Sequence, residues 1–362
     1  MINNESLGSN FIFYRLPRAS KAHLIRCNGD DIIISYDIKE IGNKEGYVFA
    51  PFKISEEKPL LIFPFKDEET LDLDEESFSD ITDILDKTSS NAEKETYICL
   101  FNKFHKCISD GKCAKIVLSR KTHITKQHDI SPCDLFLTAC RICPDMYVSL
   151  VSSPLCGTWL TATPEYLADS KNGCLHTASL AGTRQNTVTD EMNIDDCTRD
   201  NDSWSGKNIV EQDYVSQYVR ERVEQYAKDI IEKGPQTIKA GNVCHLLTDF
   251  SYKLKEDVTL GVLLDKLHPT PAVCGIPKDF TYNYIIENEH YDREYYSGFQ
   301  GKISSKEGIH LFVTLRCMKV LDNGYDLFAG GGLVFESDKE YEWLETEAKM
   351  QTMKRCIATK KA

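Results

Sequence analysis

Residues 1 to about 95 are patterned as strands. Asp31-Ile-Ile-Ile-Ser35, Gly46-Tyr-Val-Phe-Ala50 and Pro59-Leu-Leu-Ile-Phe-Pro64 are short apolar runs bounded by Gly, Pro and charge. Beyond that point helical and strand patterns mix. Lys207 to Lys233 predicts a long amphipathic helix, with Val210, Tyr214, Tyr218, Ile230 and Ile231 near helical spacing and Gly234-Pro235 as its stop. Ile116 to Arg120, Gly173 to Thr177, His310 to Val320 and Tyr325 to Phe335 read as strands, and Lys339 to Ile357 as a terminal helix. The polar segment Gln185 to Ser205 has no apolar periodicity and reads as a mobile surface loop. There is no repeat and no linker. The pattern predicts one α+β domain on large, mostly antiparallel sheets that form a layered core with helices outside. Residues 1–95 are its strand-rich N-terminal portion, and residues 96–362 hold the candidate chemistry.

Composition narrows the partners. With 362 residues, 41% of them hydrophobic, the chain can bury a large core. Its net charge of −13, from 43 basic and 56 acidic residues, disfavours nucleic acid. An anionic ligand must then be attracted locally, by placed cations or a metal. The run Phe11-Ile-Phe-Tyr14 is too short for a signal-peptide core, and no stretch approaches the roughly 18 apolar residues of a membrane span. A cytoplasmic protein with reduced, mostly buried thiols is therefore expected from the 14 cysteines. Cys140-Arg-Ile-Cys143 is an isolated CxxC pair without a zinc partner set. In the acidic stretch Asp67 to Asp83, Asp72, Asp74 and Glu76 have calcium-loop spacing, but Ser77 replaces the needed Gly and Asp83 the bidentate Glu. A solvated acidic loop and helix start is the expectation there.

Several side chains have a structural and a chemical reading. Glu342, Glu345 and Lys349 share one face of the terminal helix, either as an exposed ion pair or as part of a site. Glu211 lies beside apolar Val210 at the edge of the long helix's buried stripe; with Glu345 it would offer hard oxygens suited to Mg²⁺. Alternation over Leu311–Met318 puts Phe312, Thr314, Arg316 and Met318 on one strand face. Arg316 there needs an anion, either a structural carboxylate or a substrate carboxylate. Lys115 opens a buried run, where desolvation would lower its pKa and suit it to act as a base. Gly330-Gly-Gly332 is no dinucleotide fingerprint; it lets backbone N–H groups approach an anion or makes a tight turn.

Six segments together resemble the chorismate-utilising enzymes, and among them the isochorismate synthases of menaquinone and siderophore pathways. They are Lys115-Ile-Val-Leu-Ser-Arg120, Thr163-Pro-Glu-Tyr166, Ser179-Leu-Ala-Gly-Thr-Arg184, His268-Pro-Thr-Pro-Ala-Val-Cys-Gly275, Leu315-Arg-Cys317, and Ala329-Gly-Gly-Gly332 leading into Glu342-Trp-Leu-Glu-Thr-Glu-Ala-Lys349. The resemblance runs from about residue 95 to the C-terminus. It implies the chorismate-binding-enzyme fold and Mg²⁺-dependent conversion of chorismate to isochorismate.

Residue by residue, the resemblance makes Lys115 the base acting on water and Glu165 the acid that protonates the departing C4 hydroxyl. Glu211 and Glu345 become Mg²⁺ ligands, with Glu342 behind them. Arg316 grips the enolpyruvyl carboxylate, and Gly182, Thr183, Gly330, Gly332 and Lys349 line the anion pocket. His268 and Ala272 stand near the reacting ring. Ala181 occupies the place where aminodeoxychorismate synthases can carry a nucleophilic lysine. Two departures stand out: Lys207-Asn-Ile-Val210 is poorer in charge than is usual before the metal glutamate, and Gln212 stands where His is frequent. Nothing in the sequence suggests an obligate protein partner, and a monomer is the expectation. A salicylate synthase, and a non-catalytic chorismate-binding protein, are the competing expectations.

Overall fold

The computed structural model describes residues 7–42, 44–73, 89–185, 204–240 and 243–357, with the backbone alone at 183–185, 239–240 and 243. Among these residues are six α-helices and two nine-stranded sheets, every pairing of which is antiparallel. One sheet runs in the order Gly275–Ile276, Lys115–Thr125, Gly324–Leu333, Cys317–Val320, Gly157–Thr163, Tyr147–Ser153, Phe11–Arg15, Lys21–Arg26, Asp67–Asp72. The other runs Ala227–Ala240, Val243–Leu254, Cys174–Gln185, Tyr166–Lys171, Gly308–Val313, Phe299–Ser304, Gly46–Ala50, Leu60–Phe63, Ile33–Ser35. The strands before residue 73 therefore enter both sheets.

The layers follow from which faces are apolar. Aromatic side chains from both sheets, among them Tyr47, Phe49, Trp159, Phe312 and Phe328, fill the space between the sheets. The outer face of the first sheet packs on the helices Pro132–Ile142 and Lys339–Cys356, through Phe136, Leu150, Leu160, Met350 and Met353. The outer face of the second packs on Gly206–Tyr226 and Leu260–Leu267, through Val219, Val223, Phe250, Leu263 and Leu264. Helix, sheet, sheet, helix is the order of layers, as the sequence pattern predicts.

Several local expectations are corrected. The long helix ends at Tyr226, and residues 227–240 form an edge strand instead. There Ala227 to Ala240 pairs with Val243 to Leu254, and Gly234-Pro235 falls where the register shifts, with Gly234 at φ +131. The helix also turns a different face inward: Val210 is 36% exposed, whereas Glu211, Gln212, Val215, Val219 and Val223 are buried. The expected strand over His310 to Val320 is two strands, Gly308–Val313 and Cys317–Val320, in different sheets. Thr314 to Arg316 carries the chain between the sheets, with Arg316 at φ +46, a left-handed conformation uncommon for a branched or long side chain. Gly330-Gly-Gly332 is not a turn but lies inside the strand Gly324–Leu333.

Asp67–Asp72, expected as loop, is an edge strand beside Lys21–Arg26. The rest of the calcium-like stretch, Asp74 to Asp83, and most of the Gln185–Ser205 segment lie outside the described residues. Cys140 and Cys143 are free, buried thiols packed under the first sheet, as expected of structural cysteines. Among the described residues, no helix is long and apolar enough to cross a membrane.

Candidate active site

Strand register builds the floor of the site. Lys115–Thr125 pairs with Gly324–Leu333 so that Val117 faces Gly332, Leu118 Gly331 and Ser119 Gly330. The glycines make room for neighbouring side chains. A Cβ on Gly332 would stand 2.4 Å from Glu211 Oε1 and 2.5 Å from Lys115 Cε. One on Gly331 would stand 2.8 Å from Glu342 Oε2 and 3.4 Å from Glu345 Oε1. The glycine run is thus a cradle for four charged side chains, which no residue with a Cβ could provide.

Three carboxylates around this cradle each have a lysine. Lys115, 0% exposed, places Nζ 2.9 Å from Glu211 Oε1, an ion pair without hydrogen-bond alignment. Lys207 donates to Glu342 Oε1 at 2.5 Å, and Lys349 to Glu345 Oε1 at 2.7 Å and to the Gly330 carbonyl at 2.8 Å. Burial pushes the Glu211 carboxyl up, but Lys115 and Lys207 outweigh it and hold the group below the usual carboxylate range. Burial and the adjacent Glu345 push Glu342 up to about 7 against the pull of Lys207. Its Oε2 is buried without a hydrogen-bond partner.

Above the cradle is a partly enclosed cavity of about 60 Å³. Glu165, Glu211, Ala272, Arg316, Gly330, Gly332 and Lys349 all line it. Glu165 is 2% exposed, and burial pushes its carboxyl up to about 8 although Lys115 and Lys349 pull it back. It is the neutral acid in a site otherwise rich in cations. Arg316 is fully enclosed, and burial lowers its guanidinium to about 10.

Three of the expected pocket residues stand elsewhere or lie outside the described residues. His268 is buried but does not line the cavity; its ring meets Phe299 edge-on at a centroid distance of 5.0 Å, and burial lowers its imidazole to about 3. The side chain of Thr183 lies outside the described residues. Gly182 does not line the cavity but acts through its carbonyl, which accepts a hydrogen bond from His245 Nδ1 at 3.1 Å.

His245 is the functional candidate that sequence reasoning missed. It lines the cavity, and its Nε2 lies 2.8 Å from Arg316 Nη2. A guanidinium only donates, so Nε2 accepts and Nδ1 carries the proton given to Gly182. Burial, Arg316 and Lys349 hold this imidazole well below its ordinary pKa, so it is neutral. The signal was a lone His in the otherwise apolar strand stretch Cys244 to Leu247. Tyr296, Leu180 and Val273 complete the walls and were also not anticipated. Lys207, noted only as part of a departure, proves to be the counter-ion of Glu342.

The family description "Chorismate binding enzyme" matches residues 63–358. The chain belongs to the chorismate-binding enzymes. The match reaches back into the strand Leu60–Phe63, further than the six motifs did. The isochorismate synthase EntC of Escherichia coli K12 is 32% identical over 240 residues, 66% of this chain and 61% of that protein. The vibriobactin-specific isochorismate synthase of Vibrio cholerae is 29% identical over 276 residues, 75% of this chain and 68% of its own length. The match thus spans about two thirds or less of these relatives. A solved structure of DhbC from Bacillus anthracis, described as a 2,3-dihydroxybenzoate-specific isochorismate synthase, superposes with a TM-score of 0.78 at 25% identity, over 96% of both chains. This chorismate-binding enzyme shares that fold throughout.

Proposed function

We propose that this chorismate-binding enzyme converts chorismate to isochorismate, as a step toward a menaquinone or a siderophore. The observation that carries the reading is Glu165, a buried carboxyl held protonated to about pH 8 in a cavity that also presents Arg316 and Lys349. A site that binds a dicarboxylate and must protonate a leaving hydroxyl needs this combination of fixed cations and one neutral acid.

In this reading Arg316 takes the enolpyruvyl carboxylate, a bidentate match for its guanidinium. Lys115 accepts a proton from the water that adds at ring C2. Glu165 gives its proton to the C4 hydroxyl, which leaves as water while the ring double bonds shift. One water enters and one leaves, so the reaction is an isomerisation. Lys349 and the Gly330 and Gly332 backbone face the substrate's charge from the floor, and Ala272 borders the ring.

A metal fits the same donors. No three His, Cys, Asp or Glu side chains converge as a ready cluster among the described residues. Glu211 and Glu345 nevertheless offer hard oxygens beside the cradle, and the partnerless Glu342 Oε2 lies behind them. That sparse set suits Mg²⁺, which keeps several waters and shares substrate oxygens. Glu211 and Glu345 would hold the ion, which when bound would offset the charge of the ring carboxylate. The charge count supports this: Glu342 and Glu345, already balanced by Lys207 and Lys349, stay balanced if a dication and a dianion enter together.

The reading is tested by Lys115→Ala and Glu165→Gln. Each is expected to stay folded and to lower turnover of chorismate by about 100-fold or more, the scale of a lost base or acid. Wild-type turnover in either variant would remove the role assigned to that residue.

A further inference from the structure

We infer that Glu289 and Arg293 form a positioning pair for the reacting site: joined side chains that take the place of a missing edge strand beside Lys115–Thr125. Among the described residues, this strand has a neighbour on its outer edge only at its start, where Gly275–Ile276 pairs with Ile116 and Lys115. Val117 N–H still reaches the Cys274 carbonyl at 2.7 Å. From there the ion pair takes over. Arg293 Nη2 donates to the Val117 carbonyl at 3.1 Å, and Ser119 N–H donates to Glu289 Oε1 at 2.9 Å. The pair therefore offers one donor and one acceptor to the strand edge, as a paired strand would.

Arg293 also reaches the neighbouring segment of the cavity wall. Arg293 Nη1 donates to the Val273 carbonyl at 2.7 Å, next to Ala272. Glu289 Oε1 also accepts from Ser119 Oγ at 2.9 Å. Between themselves they are joined twice, Nε to Oε2 at 2.7 Å and Nη2 to Oε1 at 2.6 Å, with side chains 2% and 1% exposed. On its other edge the strand pairs Val117 with Gly332 and Ser119 with Gly330, the cradle glycines. Arg293 and Glu289 touch no reacting group. They fix the separation between the strand that carries Lys115 and the wall that carries Ala272.

A buried ion pair retained only for stability is often replaceable by apolar residues at little cost. This one spends its hydrogen bonds on backbone atoms of residues at the site, which points to geometry as its role. Arg293→Lys keeps the charge, but one ammonium cannot span two carbonyls and both carboxylate oxygens. A loosened strand displaces Lys115 relative to the ring, and such misplacement costs rate rather than binding.

The inference rests on the reading of Lys115 as the base, and two readouts keep them separable. The first is steady-state turnover of chorismate by Arg293→Lys and by Glu289→Gln, expressed per folded molecule. We expect kcat to fall about 10- to 100-fold with KM within about threefold, since Arg316 is untouched. The second is amide hydrogen exchange over residues 116–120, which involves no reaction and is expected to speed up in both variants. Wild-type kcat with only a lowered melting temperature would overturn the inference, and so would unchanged exchange. If Arg293→Lys does not fold, Glu289→Gln is read by the same criteria. If the wild type itself leaves chorismate unchanged, the proposed function fails, and the exchange result alone decides the pair's role.

Discussion

Glu165 is the residue whose environment departs most from its sequence neighbourhood. Nothing in Thr163-Pro-Glu-Tyr166 announces a buried carboxyl, yet burial carries its pKa from 4.5 to about 8. The acid form must be present for it to protonate a leaving hydroxyl. Turnover is therefore expected to fall as pH rises through about 8, and the alkaline limb of a pH–rate profile checks this. Stability follows the same sign. Because the folded-state pKa is raised, the group's contribution is complete below about 4.5 and is lost as pH rises to about 8. Glu165→Gln should flatten that part of the stability curve, measured by denaturant melts at either end of this window. An unaltered curve would mean that Glu165 titrates normally. Lys115, Glu165, Glu211 and Arg316 were legible because resemblance to a family fixes identities position by position. His245 was not, because a single His in an apolar strand reads as an ordinary core residue until its partner, Arg316, arrives from a distant turn.

At the scale of elements, the glycine strand does what its sequence left open. Of the two readings left open for Gly330-Gly-Gly332, the tight turn fails: the run is strand stripped of side chains so that Lys115, Glu211, Glu342 and Glu345 can close over it. Gly332→Ala would place its methyl against the ends of Glu211 and Lys115, which are flexible side chains rather than backbone. The fold is expected to survive, judged by circular dichroism, while turnover falls by at least about 100-fold. Near-normal activity would mean that the cradle is not part of the site. The terminal helix and the lysine strand were readable from periodicity alone. The long helix was not: its polar buried face, with Asn208, Glu211, Gln212 and Ser216, defeats a pattern that assumes apolar means inside. The break at Thr314 to Arg316 was invisible for a similar reason, since alternation continues through it while the chain changes sheets.

For the whole molecule, the two antiparallel sheets and outer helices were predictable from alternating strands and long apolar-faced helices, whereas the strand order depends on long-range pairing that no local pattern carries. A chain of net charge −13 must gather its cations in one place to hold a dianion, and Lys349 and Arg316 are so gathered. Exhaustive treatment with EDTA is expected to abolish turnover and added Mg²⁺ to restore it, with Glu345→Gln insensitive to the addition. Full activity after chelation would take Glu211 and Glu345 out of any metal role. The most direct test of the account is the product profile by proton NMR, from purified protein with chorismate and Mg²⁺ and without ammonia. The account predicts isochorismate rising to a fixed ratio with remaining chorismate, reached from either side. Salicylate with stoichiometric pyruvate, or chorismate left unchanged, would contradict it.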